Sequence, residues 1–337
     1  MSGSFARRKL LGILSGTWLA QAVYAVVKLG VPDLLAAGPL PARELAERTG
    51  ADPLTLYRLL RALALNGLLE QTAPGTFALN AASEPLRSDV PGSVRYNALM
   101  QGEEVYGAFA EIMYSLRTGR PAFEKVHGRG FYEYLDANPE AARIFNESMG
   151  DQPVPEGVEA RDWSGVSTVV DVGGGNGALL AAVLADRPDL RGVLLERPEA
   201  LDSARERLGA AGVADRVELT GGDFFTAVPA GGDVYVLARV LHNWADDAAV
   251  RILCRVREAM DGAMDGATDG AARLLVAEEF MPAAGGPGAG ARAMVDLLML
   301  VTQEGHDRTA AEYGDLLAAA GFAVVSAGSD VLEARPA

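Results

Sequence analysis

Hydrophobic positions along the chain follow different rules on either side of about residue 160. Up to about residue 155 they recur at helical spacing with short breaks, as in helices that turn one face inward. Beyond that point they gather into short runs bounded by Gly, Pro and Asp: "STVVDVG", "GVLLERP", "RVELTGG", "DVYVLARV" and "RLLVAEEF". Helical stretches separate most of these runs, among them "GALLAAVLADR", "ALDSARERLGAAG" and "DAAVRILCRVREAM". Strands alternating with helices predict a parallel sheet covered on both faces, a doubly wound α/β domain over 159–337. The mainly helical part, 1–158, forms the other expected domain.

Within that helical part, "PARELAERTGADPLTLYRLLRALALNGLLEQTAPGTFAL" has its own grammar. A helix over 42–49 turns at Gly50, Asp52 caps a second helix before Pro53, and a hairpin follows. This is the order of a winged helix-turn-helix. A DNA-binding regulator is one reading. The second helix offers only Arg58 and Arg61, however, and the net charge of −15 repels phosphate backbones. A structural or dimerising role is expected instead, with no nucleic-acid partner.

The basic and apolar start, "MSGSFARRKLLGILSGTWLAQAVYAVVKLGVPDLL", invites comparison with a signal peptide. Gln21 and Lys28 interrupt it, no small-residue cleavage site closes it, and it continues at helical period. No membrane span and a cytoplasmic location are therefore expected. The run from Leu10 to Leu35 is more continuous than a solvent-facing helix requires, which points to a partner surface. Cys254 is the only cysteine, so an intrachain disulfide and a multi-cysteine metal site are excluded; its helical spacing makes it a core residue. The tandem repeat "MDGAMDGATDGA", 260–271, reads as a surface loop without chemistry.

The sharpest chemical signal is "VVDVGGGNGALL". A strand ends near Asp171, and a glycine-rich turn leads into a helix, letting a ligand approach the backbone. Gly173, Gly175 and Ala178 satisfy the dinucleotide pattern, and Glu196 stands about twenty residues on, where a carboxylate grips ribose hydroxyls. An NAD-dependent dehydrogenase is thus a competitor. Two features favour S-adenosylmethionine. The acid-led turn suits a cationic aminoacyl tail, and Asp223 in "GGDFF" follows the third strand, placed for an adenine amino group with Phe224 against the ring. The expected cofactor set is Asp171, Gly173, Gly175, Glu196, Asp223, Phe224 and Arg239.

In the order "VVDVGGGNG", "LLERP", "GGDFF", "VLHNWADD", "LLVAEEFMP" and "GHDRT", nearly the whole chain resembles the plant-type, caffeate-like S-adenosylmethionine-dependent O-methyltransferases. The branch it resembles methylates natural products in actinobacteria, which implies a role in antibiotic biosynthesis. The resemblance implies a Rossmann-like, seven-stranded catalytic domain and a homodimer whose N-terminal helices intertwine and roof the partner's site. It implies no metal.

Methyl transfer to a phenol requires in-line alignment and a phenolate. A phenol of pKa about 10 is mostly protonated at neutral pH, so a base is useful. His242 in "RVLHNW" ends an apolar run, and the matching family position holds the base. The resemblance makes Glu278 the residue that orients it and Asp307 the second acid, where the family more often has glutamate. Glu279 alternates to the other side of its strand and is structural; His306 is loop or pocket wall, His127 belongs to the helical domain within reach of the substrate pocket, and Trp244 is a core anchor. Substrate walls are expected from Phe145, Asn146 and Met149, and from Met294, Asp296 and Met299. A flat aromatic acceptor, polyketide-like, is implied. The alternative is a relative that keeps the cofactor but catalyses hydroxylation or a pericyclic reaction.

Overall fold

The structure, a computed structural model, describes residues 3–150, 153–262, 272–282, 286 and 288–337. All but the first three residues of the 260–271 repeat lie outside this range. The chain folds as two compact units, residues 1–107 with 139–151, and residues 108–138 with 152–337. Residues 108–138 thus group with the second unit, although their sequence pattern is as helical as that of the residues before them.

The first unit contains the expected winged helix. Helices Ala42–Thr49 and Pro53–Leu65 are joined through Gly50, and Asp52 caps the second by accepting the Thr55 N–H at 2.8 Å. The wing is a three-stranded antiparallel sheet of β1 (Leu40–Pro41), β2 (Glu70–Ala73) and β3 (Thr76–Ala78), with β3 central. Leu45, Leu56, Leu60, Leu63 and Phe77 close its core together with Val26, Val31 and Leu35.

Ahead of it run helices Gly3–Leu14 and Gly16–Lys28. The stretch Phe5–Lys28 is, by length and composition, long and apolar enough to cross a membrane. Gln21 and Lys28 leave the stretch apolar on average, and Ser15 divides it into the two helices. Leu14 is 71% and Trp18 77% exposed. A row of large apolar side chains in water is unfavourable by roughly 25 cal/mol per Å², so this face calls for a covering surface.

The second unit is built on a seven-stranded sheet of β4 (Thr168–Val172), β5 (Arg191–Glu196), β6 (Val217–Gly221), β7 (Val234–Ala238), β8 (Arg273–Ala277), β9 (Phe322–Ala327) and β10 (Val331–Pro336). The spatial order is β6-β5-β4-β7-β8-β10-β9. The first five are parallel, and β10 runs antiparallel to both β8 and β9. Alternate residues of the central strands feed two separate cores. Val170, Val172, Tyr235, Leu237, Leu274 and Val276 face one side; Val169, Leu194, Val234, Val236, Leu275 and Ala277 face the other. Burial on both faces explains the near-continuous apolar runs in these strands. Cys254 lies on helix Asp246–Gly262, half-buried against the first of these cores. The strand order reverses beside β4, so the loops after β4 and β7 open a crevice at their carboxyl ends.

Candidate active site

The loop after β4 carries the glycine turn. Gly175 has φ 57°, a left-handed conformation that side chains disfavour, and donates its N–H to Glu196 Oε2 at 2.9 Å. A Cβ on Gly174 would fall 2.3 Å from Asp171 Oδ2, so the turn closes directly over that carboxylate. Asp171 is buried, and neither of its carboxylate oxygens has a partner among the described residues. Burial, reinforced by the charge of Glu196, pushes its pKa up to about 7. Glu196, at the end of β5, also accepts the Arg197 N–H at 2.8 Å. Asp223, beyond β6, is exposed and turns its own loop by accepting the Phe225 N–H at 2.9 Å. The Phe224 ring meets the edge of Trp244 at 5.9 Å.

This arrangement fits S-adenosylmethionine. A buried acid without a cationic partner, next to a second acid, is stabilised by a positively charged ligand and would repel a pyrophosphate. Glycines leave room for that ligand at the mouth of the loop, where nothing lies within 4 Å of the point a Cβ on Gly175 would occupy.

On the other side of β4, β7 ends at Ala238, and the chain leaves the sheet through Arg239, the only non-glycine residue with positive φ (55°) among those described. Such conformations concentrate at functional sites. The Arg239 side chain donates to the Pro153 carbonyl, its Nε has no partner among the described residues, and burial lowers its pKa. The chain then makes one 3-10 turn, Leu241–Asn243, which carries His242. His242 Nδ1 lies 2.7 Å from Glu278 Oε2. Glu278 follows β8 directly and is buried; its Oε1 accepts the N–H groups of Val240 and Leu241 at 3.0 and 2.8 Å. With the carboxylate ionised, Nδ1 carries the proton and Nε2 keeps its lone pair, which is the tautomer a base requires.

Asp307 has other hydrogen-bond partners. Arg292 forks onto its two oxygens at 2.6 Å each, and Asp307 donates its N–H to Asp296 at 3.0 Å. A third Arg292 nitrogen bonds the exposed Glu279. Among the described residues no hydrogen bond joins Asp307 to His242. His306 is exposed, 3.9 Å from Asp246.

Of the proposed substrate walls, Met294 is exposed and Met299 buried on helix Ala289–Thr302 of the second unit. Phe145, Asn146 and Met149 belong to helix Pro139–Gly150 of the first. His127 ends helix Ala122–His127, stacked on Phe123 at 4.1 Å in the second unit. Sequence reasoning misses Tyr132. Its ring lies between Trp244, stacked at 5.5 Å, and the guanidinium of Arg197, 5.2 Å from its centroid. Burial first, then the charge of Glu196, raises its pKa. "FYEYL" reads as plain helix, so no local signal marks it.

An O-methyltransferase domain matches residues 109–323, and an O-methyltransferase dimerisation domain matches residues 11–89. The chain belongs to the O-methyltransferase family. It is 41% identical over 335 residues to a phenazine O-methyltransferase of Lysobacter antibioticus, covering 97% of this chain and 95% of that one. It is also 38% identical over 314 residues to an 8-amino-8-demethylriboflavin N,N-dimethyltransferase of Streptomyces davaonensis, covering 91% and 87%. Among solved structures it is similar to an O-methyltransferase from neocarzinostatin biosynthesis in complex with S-adenosylmethionine and 2-hydroxy-5-methyl naphthoic acid. The TM-score is 0.82 at 34% identity, covering 95% of this chain and 96% of that one. The enzyme is therefore an S-adenosylmethionine-dependent O-methyltransferase of the bacterial natural-product group, with the Rossmann-like fold expected from its sequence.

Proposed function

We propose that this enzyme methylates a phenolic hydroxyl of an aromatic, polyketide-like secondary metabolite, with His242 as general base. The observation that carries the reading is the His242–Glu278 pair at the end of the parallel strands, its carboxylate anchored by two backbone N–H groups. S-adenosylmethionine supplies an electrophilic methyl group on a sulfonium. Asp171, Glu196, Asp223 and the Gly173–Gly175 turn would hold it, with Phe224 against the adenine and Arg239 at the edge of the site. His242 Nε2 accepts the phenol proton while Glu278 stabilises the imidazolium that forms, so the acceptor oxygen reaches transfer as a phenolate.

The naphthoic acid of one similar structure and the phenazine acceptor of one relative support a flat aromatic substrate. The N-methylating relative leaves nitrogen as the competing acceptor atom. Incubation of the enzyme with methyl-labelled S-adenosylmethionine and matched phenols and arylamines, read by mass spectrometry and NMR, tests this. A labelled aryl methyl ether is expected. Label on nitrogen, or product hydroxylated or rearranged without label, would sink the phenol assignment.

Cofactor affinity provides a second check. Glu196→Ala and Asp223→Ala are each expected to weaken S-adenosylmethionine binding by about ten- to a hundredfold, the loss of a charge-assisted hydrogen bond. Calorimetry should show no binding of NAD. Equal affinity in both variants would remove these carboxylates from the site.

The exposed apolar face of Phe5–Lys28 is assigned to a second copy of the chain, since the dimerisation domain begins within it. Light scattering should give a mass near twice 35.3 kDa. Leu14→Asp with Trp18→Asp should yield monomer; a wild-type monomer would refute the assignment.

A further inference from the structure

Arg308 has one of the largest fully buried side chains of the molecule, 1% exposed, and it lies on the carbonyl side of the His242 turn. Nη1 donates to the Leu241 carbonyl at 3.2 Å and to the His306 carbonyl at 3.4 Å. Nη2 donates to the Trp244 carbonyl at 2.8 Å. Nε and Nη2 both reach Asp246 Oδ1, at 2.9 and 2.6 Å, at the start of the following helix. The guanidinium also lies 5.7 Å from the centre of the Tyr313 ring.

The turn is therefore gripped from both ends. Glu278 takes the N–H groups of Val240 and Leu241, and Arg308 takes the carbonyls of Leu241 and Trp244, which bracket His242 and Asn243. Two buried charges of opposite sign thus each bond two backbone groups of the turn, the Leu241 carbonyl also accepting the Trp244 N–H at 3.2 Å. Gly305 completes the mould: a Cβ there would lie 2.0 Å from the His242 carbonyl oxygen and 2.4 Å from the backbone of Asn243 and Trp244. Glycine is required by this close approach, not by a turn. The Met281 N–H bonds the Arg308 carbonyl at 2.9 Å, tying the same segment to the chain that leaves Glu278.

We infer that Arg308 is a positioning residue for His242: by holding the carbonyls on either side of the histidine it fixes the turn that aims the imidazole. This rests on the proposed role of His242 as base. Within "GHDRT" the working residue for the histidine is thus the arginine, while Asp307 is engaged by Arg292. A lysine at 308 keeps the charge but is a point donor, and one ammonium cannot reproduce the fork that spans two carbonyls and Asp246.

The test is Arg308→Lys in the full chain, with His242→Ala and the double variant alongside. Arg308→Lys should lower kcat about ten- to a hundredfold, with acceptor KM and S-adenosylmethionine Kd within about threefold of wild type, since an error in aim acts on the reacting step. The deficit should narrow as pH approaches the phenol's own pKa. The double variant should fall no more than about twofold below His242→Ala. Turnover of Arg308→Lys within twofold of wild type, losses that multiply in the double variant, or a weakened cofactor with intact kcat would each overturn the proposal.

The imidazole NMR signals of the three histidines, assigned with His242→Ala, separate the two ideas. If His242→Ala keeps full turnover, the base reading falls, yet Arg308→Lys should still shift the His242 signal and weaken its bond to Glu278. An unmoved signal overturns the positioning role. Should Arg308→Lys fail to fold, Asp246→Asn loosens the same guanidinium from its exposed side. It is expected to give a smaller kcat loss with the same pH signature, and wild-type turnover there counts against the proposal.

Discussion

Replacing His242 with alanine is expected to lower turnover by about 10²–10⁴-fold at neutral pH, the range a positioned general base contributes, while leaving S-adenosylmethionine affinity nearly unchanged. The direction follows from geometry. Nδ1 is committed to Glu278 at 2.7 Å, leaving Nε2 as the ring's free acceptor, and the imidazole does not belong to the glycine turn that defines the cofactor site. The deficit of the variant should shrink toward the phenol's own pKa of about 10, where the substrate ionises without help. Glu278→Gln should cost less, because it removes the negative charge that favours the imidazolium but leaves the base in place. Rates measured from about pH 6 to 10 on the identified acceptor decide this. Wild-type turnover of His242→Ala at neutral pH would end the assignment.

Asp171 is expected to make the protein's stability and its cofactor affinity respond to pH in opposite directions. Its folded-state pKa of about 7 lies above the ordinary aspartate value of 3.8, so the folded chain binds the proton more tightly than the unfolded one. The corresponding stability is fully present below about pH 4 and is lost as pH rises to about 7. The full loss is of order 4 kcal/mol, from about 1.4 kcal/mol per unit. A cationic ligand favours the carboxylate, so binding releases a proton and affinity should climb up to about tenfold per pH unit until about pH 7, then level. Asp171→Asn should raise the melting temperature of the ligand-free protein at about pH 8 and flatten the pH dependence of binding, while weakening S-adenosylmethionine. Thermal melts and calorimetry across about pH 5–8 measure both. A variant that binds as tightly as wild type with an unchanged pH slope would show that Asp171 does not face the cofactor's charge.

Five parallel strands, the winged helix with its Asp52 cap, the glycine turn and the pairing of His242 with Glu278 are all legible in the amino-acid sequence and its family resemblance. The strand residues announce themselves by runs that are apolar on both faces, and the turn by its cluster of glycines. The antiparallel pair β9 and β10 is legible only through family resemblance. "FAVVSA" on the sheet edge leaves Val324 and Val325 exposed, so its pattern carries no clean inside and outside. The division at 107 and 138 is also hidden, because the helices of the two units share one period.

Local sequence sets which residue types stand at the ends of which strands: Asp171, Glu196, Asp223, His242 and Glu278 each lie within a few residues of a strand end or turn, where local signals are strong. How those side chains are held is a property of the packed molecule alone. Arg308 meets the Leu241 carbonyl from 67 residues away, and Arg292 takes both oxygens of Asp307, which the family pattern alone assigns to the histidine. Periodicity and turn chemistry are properties of short stretches of chain. The partner of a buried charge is chosen by which distant segment packing brings within about 3 Å, and nothing in the local sequence encodes that distance.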